Sequence, residues 1–272
     1  MSDLGDLLEL MYAAHSRATS VRAVLTEWSD TDLWRESARR WAETGPRRSR
    51  ALLVAESRGV DTGSTERHTH RVWRRYPGPS WRVESDRAPY PHVTIMNGRH
   101  WWGSDGRGGT LTNVRADGSM VENMGGSLPS RFIELIFDPA SLLSSTSIDV
   151  GEETIVAGRK AREAVARWRP GIDLVQIDWP YADAIKLAVD AELGVLLLFE
   201  ALLDQRPFLR WQAEEIVFGE DLNDGLFAGP PGARAPVEPS PAQVQAEKDL
   251  NAEIQRLRRQ DDRDADRAPG DG

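Results

Sequence analysis

The stretch that decides the fold runs from Gly158 to Pro231. It opens as GRKAREAVARWRP (158–170) and continues as AIKLAVDAELGVLLLFEALLDQRPFLRWQAEEIVFGEDLNDGLFAGPP (184–231). Three or four successive strand patterns are joined here by tight turns, and the run closes in a short Asp/Asn-rich turn and Phe227. Turns this short cannot carry the crossovers that parallel strands need. The strands are therefore expected to pair antiparallel.

Working outward, residues 3–18 place Leu4, Leu7, Leu8, Met11, Tyr12 and His15 at helical spacing, which makes one apolar stripe. SVRAVLTEW follows as an extended segment. TDLWRESARRWAE then reads as a second helix, capped by Asp30 or Thr31 and stopped near Gly45-Pro46. ALLVAES reads as a strand and RGVDTGSTE as a loop. From Arg67 the period shifts to two. RHTHRVWRRY and SWRVESD flank Pro77-Gly78-Pro79, while HVTIM and RHWWGSD flank Asn97-Gly98, a strong short hairpin signal. SRFIELIF is a short helical pattern. Asp138-Pro139 opens another, ASLL, with Asp138 as its expected N-cap. Strands are expected from about Ser147 to Phe218. After Gly229, GPPGARAPVEPSP is a linker. The stripe Leu250, Ile254 and Leu257 beyond it is too short for a coiled coil. Three regions result: residues 1–45, an N-terminal helical segment packed on the sheet; 46–228, the main β domain; and 229–272, a Pro-rich linker with a charged, exposed or disordered tail.

The pattern resembles the LolA-like superfamily of lipoprotein carriers and their LppX- and RseB-type relatives. The matched elements are Gly158-Arg159 opening a strand, Val189-Asp190 before a turn with Gly194, the apolar strand after it, and the closing Asp224–Phe227. The resemblance runs more loosely back to about Trp73. It implies a mainly β fold with helices (α+β), in which a curved antiparallel half-barrel sheet wraps short helices. It also implies an apolar cavity for acyl chains, with no catalytic residue and no cofactor.

Composition narrows the function classes. The chain has 272 residues, 40% of them apolar and 28% charged, which is the balance of a soluble globular protein. Its formal charge of −9 argues against nucleic acid, whose phosphates it would repel. Cysteine is absent, which excludes disulfides, thiolate chemistry and Cys-based zinc sites. The opening MSDLGDLLELMYAAH carries Asp3, Asp6 and Glu9 before any apolar run, unlike a secretory signal. No run approaches the ~20 apolar residues of a membrane span. A cytoplasmic location without an integral membrane segment is therefore expected, in contrast to the exported members of the superfamily.

Hairpin register predicts which side chains share a face. With Asn97-Gly98 as a two-residue turn, Met96 lies opposite Arg99 and Val93 opposite Trp102, so Val93, Ile95 and Trp102 share the core or cavity face. With a three-residue turn at Pro77–Pro79, Trp73 lies opposite Val83, which groups Trp73, Trp81 and Val83. The strand VLLLFEALLD puts Leu197 and Phe199 on one face and Glu200 on the other. Because it is apolar on both faces for several residues, it is expected to be covered on both, with the helices around Phe132 and Leu142 as candidates. Core and cavity lining are expected to be the same residues. The expected lining is Leu8, Met11, Tyr12, Trp73, Trp81, Val83, Val93, Ile95, Trp102, Phe132, Ile136, Leu142, Leu197 and Phe199.

Catalytic signals are weak. His68 and His70 alternate onto one strand face, which could begin a metal site, but no carboxylate is placed beside them and solvated strand histidines are expected. GSDGRGG (103–109) lacks the phosphate-loop pattern. Glu152-Glu153 and Glu214-Glu215 are adjacent pairs, which on strands point to opposite faces. The chain thus reads as a non-catalytic protein without metal or cofactor, binding a lipid or another hydrophobic small molecule. The alternative is a cytoplasmic interaction or regulatory module with a filled core, which meets a protein partner through its tail or N-terminal helices. Deleting residues 233–272 is expected to leave the melting temperature nearly unchanged, since the linker and tail bury little apolar area. A calorimetric fall beyond ~5 °C, about 1–2 kcal/mol for a domain of this size, would show instead that the tail docks on the domain.

Overall fold

Sheet register turns these strand patterns into faces, and the computed structural model gives it for residues 3–44, 65–78, 80–86, 92–98, 100–104, 110–112, 128–169 and 182–229. The elements are α1 (Asp3–Arg17), β1 (Ser20–Asp30), α2 (Thr31–Thr44), β2 (Thr65–Arg75), β3 (Ser80–Ser85), β4 (His92–Asn97), β5 (His100–Ser104) and β6 (Thr110–Thr112). After them come α3 (Leu128–Phe137), α4 (Ala140–Ser145), β7 (Thr146–Val156), β8 (Arg159–Trp168), β9 (Ala184–Asp190), β10 (Leu196–Leu203), β11 (Arg206–Phe218) and a 3-10 turn, Asp224–Phe227. All eleven strands form one antiparallel sheet, ordered β6-β5-β4-β3-β2-β1-β11-β10-β9-β8-β7. Among the described residues it is not closed into a barrel. The expected mainly β architecture is the one found. ALLVAES, the tail and residues 105–109 lie outside the described residues.

β1 holds the sheet together. It pairs with β2 on one side and β11 on the other, and so joins two meanders built from local turns. The segment read as an N-terminal helical appendage therefore contributes the central strand. Along β1 burial alternates: Val21, Ala23, Leu25, Glu27 and Ser29 are buried, and the residues between them are half-buried. This period of two marks the face against which the helices pack. α2 starts where β1 ends, and Asp30 caps it by accepting from the backbone N–H of Asp32 (3.0 Å) and Leu33 (2.9 Å).

Two hairpins have the two-residue geometry that matches strand twist, with positive φ at both central positions. These are Ala157 (50°) with Gly158 (73°), and Asp204 (51°) with Gln205 (62°). Two other turns differ from expectation. At β2–β3 the paired ends are Arg75 and Ser80, so four residues lie between them rather than three. That one-residue slip reverses Trp73, which lies opposite Arg82, while Trp81 lies opposite Arg74 and Val83 opposite Val72. At β4–β5 the ends are Asn97 and His100 and Gly98 has the positive φ (62°), which pairs Ile95 with Trp102. This shift moves the pairing by two positions, so Val93, Ile95 and Trp102 still share a face. That face, however, is the one opposite Trp81 and Val83.

The helices lie against the face of Val72, Trp81 and Leu187. Tyr76, two positions beyond Arg74 on that face, donates its hydroxyl to the carbonyl of Phe137 at the end of α3 (3.3 Å). α1 meets α4 and β7, and α3 meets β10. In α1 the buried stripe is Leu7, Met11 and Ala14, whereas Tyr12 is 67% exposed. Tyr12 sits one residue, about 100°, from Met11 around the helix, which turns it off the core. Asp138 does not cap α4. The cap position falls at Pro139 without a side-chain bond, and Asp138 Oδ1 is shielded and unpaired. The second side of β10 is not closed by a helix at Glu200. That buried carboxylate accepts from Arg210 Nε (2.5 Å) and stands 3.7 Å from Lys186 Nζ on the flanking strands.

The residues that suggested the fold are explained at the β9–β10 turn. Asp190, fully buried, accepts from the backbone N–H of Glu192 (3.0 Å) and Leu193 (2.8 Å) and pairs with Arg159 at the start of β8. Gly194 has φ 77°, and a Cβ there would stand 2.1 Å from the carbonyl oxygen of Leu10 in α1. Gly194→Ala is therefore expected to destabilise the domain by at least about 2 kcal/mol, from the left-handed backbone and the displacement of α1. In calorimetry this reads as a fall in Tm of about 4–8 °C or more. An unchanged Tm would show that α1 does not dock there.

Burial pushes the Tyr76 phenol up to about 12 from its ordinary 10, helped by Asp138 and opposed by the cationic Arg74. The folded state thus disfavours the phenolate. The stability this contributes is intact below pH 10 and is lost as pH rises through about 12. Between pH 9 and pH 11 about 1 kcal/mol should disappear, as read from denaturant midpoints. Tyr76→Phe should flatten that part of the profile.

Candidate functional site

β2 carries a polar row on the helix face. Every second residue points there: Glu66, His68, His70, Val72 and Arg74, with Tyr76 just beyond the strand. They lie opposite Ser29, Glu27, Leu25, Ala23 and Val21 of β1. Its centre is a buried pair. His70 is 0% exposed and its Nε2 lies 3.1 Å from Glu27 Oε2, with Glu27 itself only 5% exposed. The imidazole stacks on Trp211, with centroids 4.7 Å apart and planes 21° apart. Register explains the meeting, since Trp211 is the direct partner of Glu27 on β11, and His68 is its partner on β2. The expected solvated strand histidines are thus corrected at His70. His68 is half-buried and lies 3.4 Å from Glu66. The period-two pattern brought both histidines to one face, but the carboxylate came from a strand some 40 residues away.

The chemistry of this pair is limited. Ser85 lies opposite His70 on β3, yet His70 Nδ1 meets no partner, so no Ser–His–Glu relay is assembled. Among the described residues no group of three or more His, Cys, Asp or Glu is placed to hold a metal ion. Among them, too, no helix is long and apolar enough to cross a membrane.

The sequence-predicted lining divides between the two faces. Met11, Ile136 and Leu142 are buried on the helices and Leu8 is half-buried. Trp81 and Val83 are buried on the helix face, beside Val72, Met96 and Trp101. Phe199 is buried on that face between Leu187 and Trp211, and Leu197 is buried at a bulge in the pairing of β9 with β10. Trp73, Val93, Ile95 and Trp102 take the other face. The side chain of Phe132 lies outside the described residues.

The chain after β11 meets the other face of β2–β4. Arg75 donates to Asp224 Oδ1 (2.7 Å) and to the carbonyl of Leu222 (2.5 Å), and its guanidinium lies 4.8 Å from the centroid of the buried Phe227 ring. Arg82 donates to the carbonyl of Leu226 (3.3 Å) and is neutralised by Glu84 (2.6 Å). The 3-10 turn itself is capped by Asn223, whose side chain accepts from the N–H of Gly225 (2.7 Å). On this same face Ile95 and Trp102 are direct cross-strand partners and both are buried.

No family model and no curated protein matches the sequence. Among solved structures the chain is similar to MucB, with a TM-score of 0.44 and 16% identity over 85% of this chain. It spans 64% of the length of that MucB chain, a protein also solved from Pseudomonas aeruginosa in complex with MucA. It is similar to the Mycobacterium tuberculosis lipoprotein LppX, with a TM-score of 0.45 and 12% identity over 82% of this chain and 99% of LppX. A LolA superfamily protein from Nitrosomonas europaea matches at a TM-score of 0.33 and 9% identity, over 84% of this chain and 99% of that one. None of these likenesses lends this chain a ligand, a partner or an activity. The open antiparallel sheet with short helices against one face is the mainly β architecture with helices that Gly158–Phe227 led us to expect.

Proposed function

We propose that the chain is a non-catalytic binding protein that takes a lipid or another hydrophobic ligand against the helix face of β2–β5. The observation that carries this reading is the uneven cover of that face. Across β9–β11 the inward side chains Ile185, Leu187, Phe199 and Trp211 are each 1% exposed. On β4 and β5, Met96 and Trp101 stay half-buried beside Trp81. Large apolar groups gathered on one face and only partly covered gain about 25 cal/mol for each Å² that a ligand removes from water. Aromatic and thioether side chains suit this role, because they adapt to an acyl chain without a fixed hydrogen-bond pattern.

The test is a thermal shift of the wild type across long-chain lipids and apolar small molecules, together with tryptophan fluorescence. A ligand of the folded state should raise Tm by the amount RT ln(1 + [L]/Kd) implies. Trp81→Phe should change the fluorescence response to ligand, and Trp102→Phe, buried on the opposite face, should not. No stabilisation by any compound would sink this reading. A protein-interaction module with a filled core would then be the better one.

A further inference from the structure

We propose that this face recognises an anionic head, carboxylate or phosphate, on a single-chain amphiphile through Arg74 and Trp81; the inference rests on the binding reading above and names its ligand class. Arg74 and Trp81 are direct cross-strand partners on the helix face. Directly opposed side chains of antiparallel strands start about 5 Å apart. Arg74 Nε and Nη1 and Trp81 Nε1 are all shielded from solvent and donate to nothing. Three N–H donors, one pair of them cationic, thus stand without an acceptor at adjacent positions.

For the arginine this is out of pattern in the molecule. Arg22 pairs with Glu215 and Glu220, Arg75 with Asp224, Arg82 with Glu84 and Arg159 with Asp190. Arg74 has instead the ring of Tyr76, 4.7 Å from its guanidinium carbon. An aromatic face attracts a cation but accepts no in-plane N–H bond. Buried polar groups are nearly always bonded, and those that are not ask for a missing partner. An anionic head supplies two or three oxygens of the right sign, and a guanidinium binds such heads through paired N–H bonds. The tail then has Met96, Trp101 and Val83 on the same face to lie against.

A carboxylate and a buried His–Glu pair lie on the same face. Asp138, between α3 and α4, acts on the same Tyr76 phenol as Arg74, and its Oδ1 is shielded and unpaired as well. It forms no ion pair with Arg74, so it leaves the donors open while opposing an incoming anion. The His70–Glu27 pair lies further along β2, beyond Val72, with His70 Nε2 3.1 Å from Glu27 Oε2.

The experiment measures binding of dodecanoate, dodecyl phosphate and dodecanol, each below its micelle concentration, to the full chain. The wild type should bind at least one of the two anions about tenfold or more tightly than the alcohol. Preference for dodecanoate assigns a carboxylate and preference for dodecyl phosphate a phosphate. Arg74→Met should bring anion and alcohol level by weakening the anions about tenfold or more. Trp81→Phe keeps the ring and loses the donor, so it should narrow the preference by a few-fold; this variant carries the test if Arg74→Met fails to fold. Asp138→Asn should widen it. If the wild type binds dodecanol as well as both anions, the head site is overturned and the apolar face stands. If none of the three binds and no lipid stabilises the protein, the binding reading itself falls.

Discussion

The double pairing of Ser20–Asp30 is the interaction on which the other features depend. β2–β6 and β7–β11 are two meanders, each assembled by local turns. Either alone would show an unpaired edge of long strands and one apolar face. β1 pairs with Thr65–Arg75 and with Arg206–Phe218, satisfying both edges at once. The cost is loop closure, since β1 and β11 lie almost 190 residues apart in the chain, and such contacts form late and slowly. The gain is a single face broad enough to take α1, α3 and α4, and a fixed relation between the two halves.

That relation creates the polar centre. Glu27, His70 and Trp211 come from three strands and meet only because β1 holds the other two in register. The same register sets Arg74 opposite Trp81 one strand further out. Polar groups in the middle of an apolar face are costly unless paired. Glu27 and His70 meet that condition with each other, whereas Arg74 does not meet it within the protein. The helix face is therefore not a uniform core. It is densely packed over β9–β11 and chemically unfinished over β2–β5.

The opposite face is organised by charge more than by apolar area. Arg22 and Arg210 bind carboxylates across strands, Arg82 binds Glu84 two positions along its own strand, and Arg75 binds Asp224 on the closing segment. Exposed pairs of this kind add little stability individually. Their effect is positional: Arg75 and Arg82 hold Leu222 and Leu226 by their backbone carbonyls, and the buried Phe227 ring lies under the Arg75 guanidinium.

Among the described residues, the sequence by itself determined antiparallel pairing and a mainly β architecture with short helices. These follow from period-two runs, short turns and helical stripes, which are local properties of the chain. Gly158, Asp190 and Gly194 were legible too, because a left-handed turn residue and a turn-capping carboxylate act within a few positions of themselves. What lay beyond the sequence was anything that depends on counting across a turn or between distant strands. One residue more in the turn before Ser80 sent Trp73 to the face opposite Trp81, since side chains alternate at every step. His70 looked solvated because its partner Glu27 and its cover Trp211 come from strands about 40 and 140 positions away. Only the tertiary structure could bring the histidine and the carboxylate together, and only it could show Arg74 beside Trp81 with no acceptor. Pairing partners and their absence are properties of the assembled face and not of any one strand.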